Sequence, residues 1–153
     1  MPSFEVHRRQ AEHNSRFIKV IDGAVSPNEY DDWIVTVSFY AAVHLVEAAI
    51  NTTTVITIHE DVKGALVKVE NPGHSDCLSD RLRGISPHLI RKYILMWNAK
   101  AFPGCHDDYA RLWENSRAAR YDGQRVHPVT VAKCRSSLVH ITNMLASKVP
   151  ISP

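Results

Sequence analysis

Two segments of this chain have to meet, and that requirement limits the fold more than any other feature. Residues 33–51, WIVTVSFYAAVHLVEAAIN, are apolar on nearly every side of a helix. Such a helix is stable in water only at the centre of a bundle. Its one imidazole, His44, then needs a partner, because an unsatisfied polar group in the interior costs about 1–3 kcal/mol. Residues 109–122, YARLWENSRAARYD, read as an amphipathic helix whose last turn carries Arg117, Arg120 and Tyr121. That arginine-rich end is the first place to seek the partner, or an anionic ligand. His44 is expected to be a satisfied core histidine, bonded to Tyr121 or Glu47, with Tyr40 and Tyr121 as further polar side chains of the same core.

A chain of 153 residues buries one sizeable core without staples, so residues 1–153 are expected to form one domain. Net charge is +2 and the pI about 8.5, so bulk charge does not announce nucleic acid. Two stretches are locally basic: Arg81, Arg83, Arg91 and Lys92, then Arg111, Arg117, Arg120 and Arg125. Solvated helix faces are their ordinary explanation. The N-terminus, MPSFEVHRRQ, has neither the apolar segment nor the cleavage site of a secretory signal. Thr36, Ser38, His44 and Glu47 interrupt the apolar run, which favours a core helix over a membrane span. Three widely spaced cysteines, Cys77, Cys105 and Cys134, suit a reducing cytoplasm better than a disulfide framework.

Punctuation divides the chain into helices. Ser3 caps one to about residue 22, with Phe4, Ala11, Ile18 and Ile21 on one side and Gly23 as its stop. Ser26-Pro27-Asn28-Glu29 is a start signal for the apolar helix, which runs to residue 51 with Trp33, Val37, Tyr40, Ala41, His44 and Ala48 as its stripe. Residues 51–58, NTTTVITI, are β-branched, but a lone strand has nothing to pair with, so they read as a loop. Residues 58–70 read as a short helix with Gly64 as its weak point, and Asn71-Pro72-Gly73 breaks the chain. Ser86-Pro87 opens a helix to about residue 101, with Leu89, Ile90, Tyr93, Ile94 and Trp97 on one side; Phe102-Pro103-Gly104 ends it. The arginine-bearing helix covers 106–121 and Gly123 caps it. Pro128 opens the last helix, with Val131, Cys134, Leu138, Ile141 and Leu145 inward. Residues 147–153 form a frayed tail. The expected fold is all-α, a bundle of four main helices plus one or two short ones.

The strings Phe39-Tyr40-Ala41-Ala42-Val43-His44 and Ser116-Arg117-Ala118-Ala119-Arg120-Tyr121 come in that order, with His59 or His74 between them and one closing helix after. This arrangement resembles the HEPN superfamily of small α-helical bundles, in its bacterial and archaeal branch with an FYAA-H helix. The resemblance covers about residues 31–146 and makes 88–100 an inserted helix. It implies a homodimer, and an RNA- or nucleotide-directed protein of toxin or defence type with an antitoxin-type protein partner. Nuclease members carry an arginine followed, after a short spacer, by a histidine. Here that is Arg120 and His127, with six residues between them and Tyr121 where the family usually has a polar residue.

By that likeness Arg120 and His127 form a metal-independent endoribonuclease pair, with Arg117 and Arg120 on phosphate. An imidazole suits proton transfer near neutral pH, and a guanidinium neutralises charge developing on phosphorus. The alternative is a non-catalytic dimeric interaction module. Arg120 is then a cation favoured by the helix dipole, and His127 a loop residue before proline. Arg117 and Arg120 share a helix face and can clamp a phosphate, or pair with Glu114, Asp107 or Glu47. His74-Ser-Asp-Cys77 with Cys105-His106, or His44 with His140 or His59, offer donors of the metal-binding kind. There is no CxxC, HExxH or glycine-rich phosphate loop, so neither metal nor other cofactor is expected. The last helix and residues 89–97 are the expected dimer faces, being more apolar than a solvent face needs.

Overall fold

The computed structural model describes residues 3–24, 29–59, 66–70, 72, 85–122 and 125–150. In chain order these form α1 (Phe4–Ala24), α2 (Asp31–Asn51), β1 (Val55–His59), β2 (Leu66–Glu70), α3 (Pro87–Trp97), α4 (Cys105–Tyr121) and α5 (Pro128–Leu145).

The axis is α2. Helices α1, α4 and α5 pack on it, and α4 and α5 pack on each other. Val35, Phe39, Leu45, Val46 and Ile50 are fully buried along it. Four alanines, Ala41, Ala42, Ala48 and Ala49, are buried as well and let neighbours approach closely from more than one side. Burying each large apolar side chain contributes about 1.5–3 kcal/mol, so this helix dominates the core. By length and composition it could cross a bilayer, with a mean hydropathy of 1.6, yet 78% of that window is buried inside the protein. The other helices supply stripes at helical spacing. Val131, Cys134, Leu138, Ile141 and Leu145 of α5 are all buried, as their period requires. Ala11 and Ile18 do the same for α1, and Ile90, Ile94 and Leu95 for α3.

Between α2 and α3 two expectations are overturned. Residues 55–58 are strand rather than loop, and within 58–70 the described residues, 58–59 and 66–70, are extended rather than helical. Instead β1 and β2 pair antiparallel, Val55 opposite Glu70 and His59 opposite Leu66. The β-branched run does have a partner, LVKVE, whose valines favour extended backbone. A lone hairpin is marginal in water. This one places Ile56, Ile58 and Val69 in the core. Its outer edge is met by Asn98 at the end of α3. The Asn98 amide oxygen accepts from the Thr57 N–H at 2.7 Å, and its nitrogen donates to the Thr57 carbonyl at 2.9 Å. One side chain thus reproduces the pairing a third strand would give, and the bundle is mostly helical with a small hairpin added.

Boundaries differ locally. Ser26 and Pro27 lie outside the described residues, and residues 29–30 are not helical. Helix α2 starts at Asp31 with Tyr30 as an N-cap that makes no side-chain cap bond. Asp31 and Asp32 in the first turn favour the dipole instead. Helix α1 continues one residue past Gly23. Ser86 caps α3 as expected, its hydroxyl accepting from the Leu89 N–H at 3.4 Å, but α3 ends at Trp97 rather than residue 101. Gly123, Gly64, His74 and Cys77 lie outside the described residues.

Candidate functional site

The FYAAVH and SRAARY strings do meet. Helix α4 lies along α2 so that Arg120, in its last turn, reaches Tyr40. The Arg120 Nε donates to the Ser116 carbonyl at 3.1 Å, and Nη1 donates to the Tyr40 hydroxyl at 3.2 Å. Its guanidinium carbon stands 5.7 Å from the centroid of the Tyr40 ring and 5.0 Å from that of Tyr121. Both distances are within cation–π range, so two rings and a carbonyl hold one cation at the surface. Arg117, one turn earlier, is exposed and makes no hydrogen bond or ion pair among the described residues.

His127 is the N-cap of α5. Its Nδ1 accepts from the Val129 N–H at 3.2 Å. That bond needs a lone pair on Nδ1, so the neutral ring carries its proton on Nε2. The ring is exposed. No hydrogen bond joins Arg120 to His127 among the described residues, and residues 123–124 between them lie outside that set.

The polar side chains assigned to the core need correction. Tyr121 is 74% exposed and Tyr40 is 36% exposed, so neither is a core group. Tyr121 is the last residue of α4, and its ring covers Arg120 instead. Phe39 takes the interior place beside Tyr40, its ring 5.1 Å from His88 and 5.7 Å from Tyr109. His44 is half-buried, and its Nδ1 lies 3.0 Å from Nδ1 of His7 on α1. One of those nitrogens must donate and the other accept, so the pair cannot hold two imidazolium rings.

Glu47, fully buried, accepts from Nε of Arg91, which is 5% exposed. Arg91 also lies 3.1 Å through Nη1 from Nδ1 of His88. Burial works against the Arg91 cation, but Glu47 and Tyr109 more than offset it and leave its pKa raised. The Tyr109 hydroxyl is within electrostatic reach of both charges yet outside hydrogen-bond geometry. Burial pushes that phenol well above its usual range, against the lowering pull of Arg91. Sequence reading missed this pair. A lone carboxylate in an apolar helix demanded a cation, and Arg91 lies in a similarly apolar stretch, LIRKYILMW.

Among the described residues, no group of three or more His, Cys, Asp or Glu could hold a metal ion. Cys105 and Cys134 are buried free thiols, both pushed up to about 11 by burial. Comparison with family models, curated proteins and solved structures finds no match to the chain.

Proposed function

We propose that this chain binds single-stranded RNA, or a nucleotide derived from it, at the corner formed by Tyr40, Arg117, Arg120 and Tyr121, with His127 at the start of α5 as a further participant. The observation that carries this is the Arg120 cation held between two tyrosine rings, one of them largely exposed. An exposed ring is a stacking platform, and base–aromatic stacking contributes about 1–3 kcal/mol per base. Arg117 adds an uncommitted guanidinium, which suits phosphate better than a point charge does. His127, with its proton on Nε2, adds a neutral donor. Single-stranded RNA is typically recognised by this combination of ring faces and cations.

The HEPN-like resemblance points the same way, toward a cytoplasmic RNA-directed protein of toxin or defence type. In that setting Arg120 and His127 would be a metal-independent cleaving pair. Cleavage asks more of His127 than binding does. To take a proton from a ribose 2′-hydroxyl at Nε2, the ring must first move its own proton to Nδ1 and give up the cap bond to Val129. We therefore rank binding ahead of cleavage. A homodimer, and an antitoxin-type protein partner, belong to the same reading. Val139 and Met144 on α5 and Met96 on α3 are exposed apolar side chains that support such a face.

The test is incubation of purified protein with a labelled RNA oligonucleotide in EDTA. Saturable binding that Tyr121→Ala and Arg117→Ala weaken is the expected result. Release of products ending in 2′,3′-cyclic phosphate, lost in His127→Ala and absent with DNA, would raise the corner to an active site. Failure of the wild-type protein to bind RNA would overturn the proposal.

A further inference from the structure

The geometry points to a second ligand site, between α4 and α5, that takes the phosphate-monoester dianion of a small phosphorylated molecule. It does not rest on the RNA reading. Arg111 and Arg120 are nine residues apart on α4, two and a half turns at about 3.6 residues per turn, so they leave the helix on opposite sides.

The site is organised by Asp108. Its Oδ1 accepts from Nη1 of Arg111 at 3.0 Å, and its Oδ2 accepts from Nδ1 of His140. The same Nη1 donates to the Ser137 hydroxyl at 2.9 Å. One half-buried carboxylate therefore fixes an arginine and a histidine side by side, and only one nitrogen of the guanidinium is consumed in doing so. Nε and Nη2 of Arg111 make no hydrogen bond among the described residues. The bond at Nδ1 leaves Nε2 of His140 without a hydrogen bond among the described residues, on a side chain that is 45% exposed. Gly104 packs against the Cε1–Nε2 edge of that ring. Its φ is +69°, and a Cβ there would stand 2.9 Å from Cε1 of His140, so the loop backbone is pressed against the imidazole with no room for a side chain.

Beside this cluster is a depression of about 480 Å³ lined by Arg111, Val129, Ala132, Lys133 and Ser136. Lys133, Ser136 and His140 recur at helical spacing along one stripe of α5. Lys133 makes no ion pair among the described residues. Arg111 and Lys133 both line the depression while the one carboxylate, Asp108, pairs with Arg111, which leaves net positive charge at its edge with the Ser136 hydroxyl beside it. A pre-positioned guanidinium, an ammonium and a hydroxyl are groups that recognise phosphate. Fixing Arg111 in advance also lowers the ordering cost of binding. The depression is open to solvent and has room for more than a bare phosphate. Val129 and Ala132 give the remaining wall an apolar surface for an organic body.

The test is two-dimensional amide NMR of the full chain, titrated separately with phenyl phosphate, inorganic phosphate, benzyl alcohol and a single-stranded RNA oligonucleotide. Phenyl phosphate should move signals from residues 108–111 and 129–140 saturably, with a Kd on the order of 1 mM or tighter. Inorganic phosphate should move the same signals more weakly, and benzyl alcohol should not move them. Lys133→Ala and Arg111→Gln, each shown folded by its own spectrum, should each weaken phenyl phosphate roughly tenfold, while Arg117→Ala should not. Shifts centred on residues 117–121, unsaturable shifts spread over all lysines and arginines, or full affinity in Lys133→Ala would overturn the site. RNA moving these signals more strongly than phenyl phosphate would overturn its assignment to a small molecule.

Discussion

Arg91 and Arg120 lean on the same helix seven residues apart, on Glu47 and Tyr40 respectively, and they end in opposite situations. Arg91 is enclosed, its charge matched by a buried carboxylate and its surroundings completed by His88 and Tyr109. Arg120 is at the surface, its partners a phenol, a carbonyl and two ring faces, none carrying a negative charge. The difference teaches that the residue met on α2 decides whether the arginine packed against it has its charge matched. A guanidinium neutralised in the interior has no field left for a ligand and no path to one. A guanidinium held by neutral groups in water keeps its charge while losing its freedom, and that is the condition for binding phosphate with little ordering cost.

The largest expected effect is on the buried side. Arg91→Ala should destabilise the fold by about 3–5 kcal/mol, because fully buried Glu47 loses the cation that pairs with it. Urea denaturation measures it. The double variant Arg91→Met with Glu47→Leu should recover most of the loss, since well-packed apolar residues often replace such a pair without cost. If the single variant loses less than about 1 kcal/mol, Glu47 reaches water and the contrast with Arg120 collapses.

Next comes Gly104→Ala. A left-handed backbone at φ +69° costs a side-chain-bearing residue about 1–2 kcal/mol, and the close approach to His140 adds to that. Adding His140→Ala should return only the second part in thermal melts. His127→Ala removes the side-chain cap of α5 and should cost about 1 kcal/mol, which any test of His127 in RNA chemistry has to subtract.

The smallest effect is on the pH dependence of stability. Two N–H groups of Arg135 hold the Asp22 carboxyl below its usual range, tying α1 to α5. A carboxyl depressed in the folded state gives stability that is fully present above its unfolded pKa and is lost as pH falls through the folded one. Asp22→Asn should therefore flatten the acid limb of a stability–pH curve slightly, both side chains being partly exposed, and leave neutral pH nearly unchanged in slope. An unaltered acid limb would remove the Arg135 contact as the cause.

Local signals carried much of the fold. The α5 stripe from Val131 to Leu145, the Ser86 cap and the all-round apolarity of α2 are each readable from a window of a few residues, because helical period and capping act over one or two turns. The meeting of Tyr40 with Arg120 was reachable through the paired strings. What escaped depends on long-range pairing. Residues 51–58 look unpaired until LVKVE is brought opposite them, and nothing local announces that register. His7 and Glu47 find His44 and Arg91 only once α1 and α3 have docked on α2. Tyr40 and Tyr121 were misassigned for a related reason. Neither period nor composition tells which side of a helix end its neighbours cover, and Tyr121, the last residue of α4, is on an open side. For the candidate site, residue types were legible, but the tautomer of His127 became fixed only by the Val129 N–H that it caps.

The most direct measurement pairs RNA affinity with stability in one substitution. Arg120→Gln keeps a hydrogen-bonding side chain for Tyr40 and removes the cation. Fluorescence anisotropy with a single-stranded RNA oligonucleotide should show affinity reduced roughly tenfold or more, since a charge-assisted contact is lost, while denaturation shows less than about 1 kcal/mol of lost stability, as for an exposed cation–π contact. Undiminished RNA affinity in Arg120→Gln, or a collapse of stability like that of Arg91→Ala, would contradict the division between a structural and a ligand-facing arginine on α2.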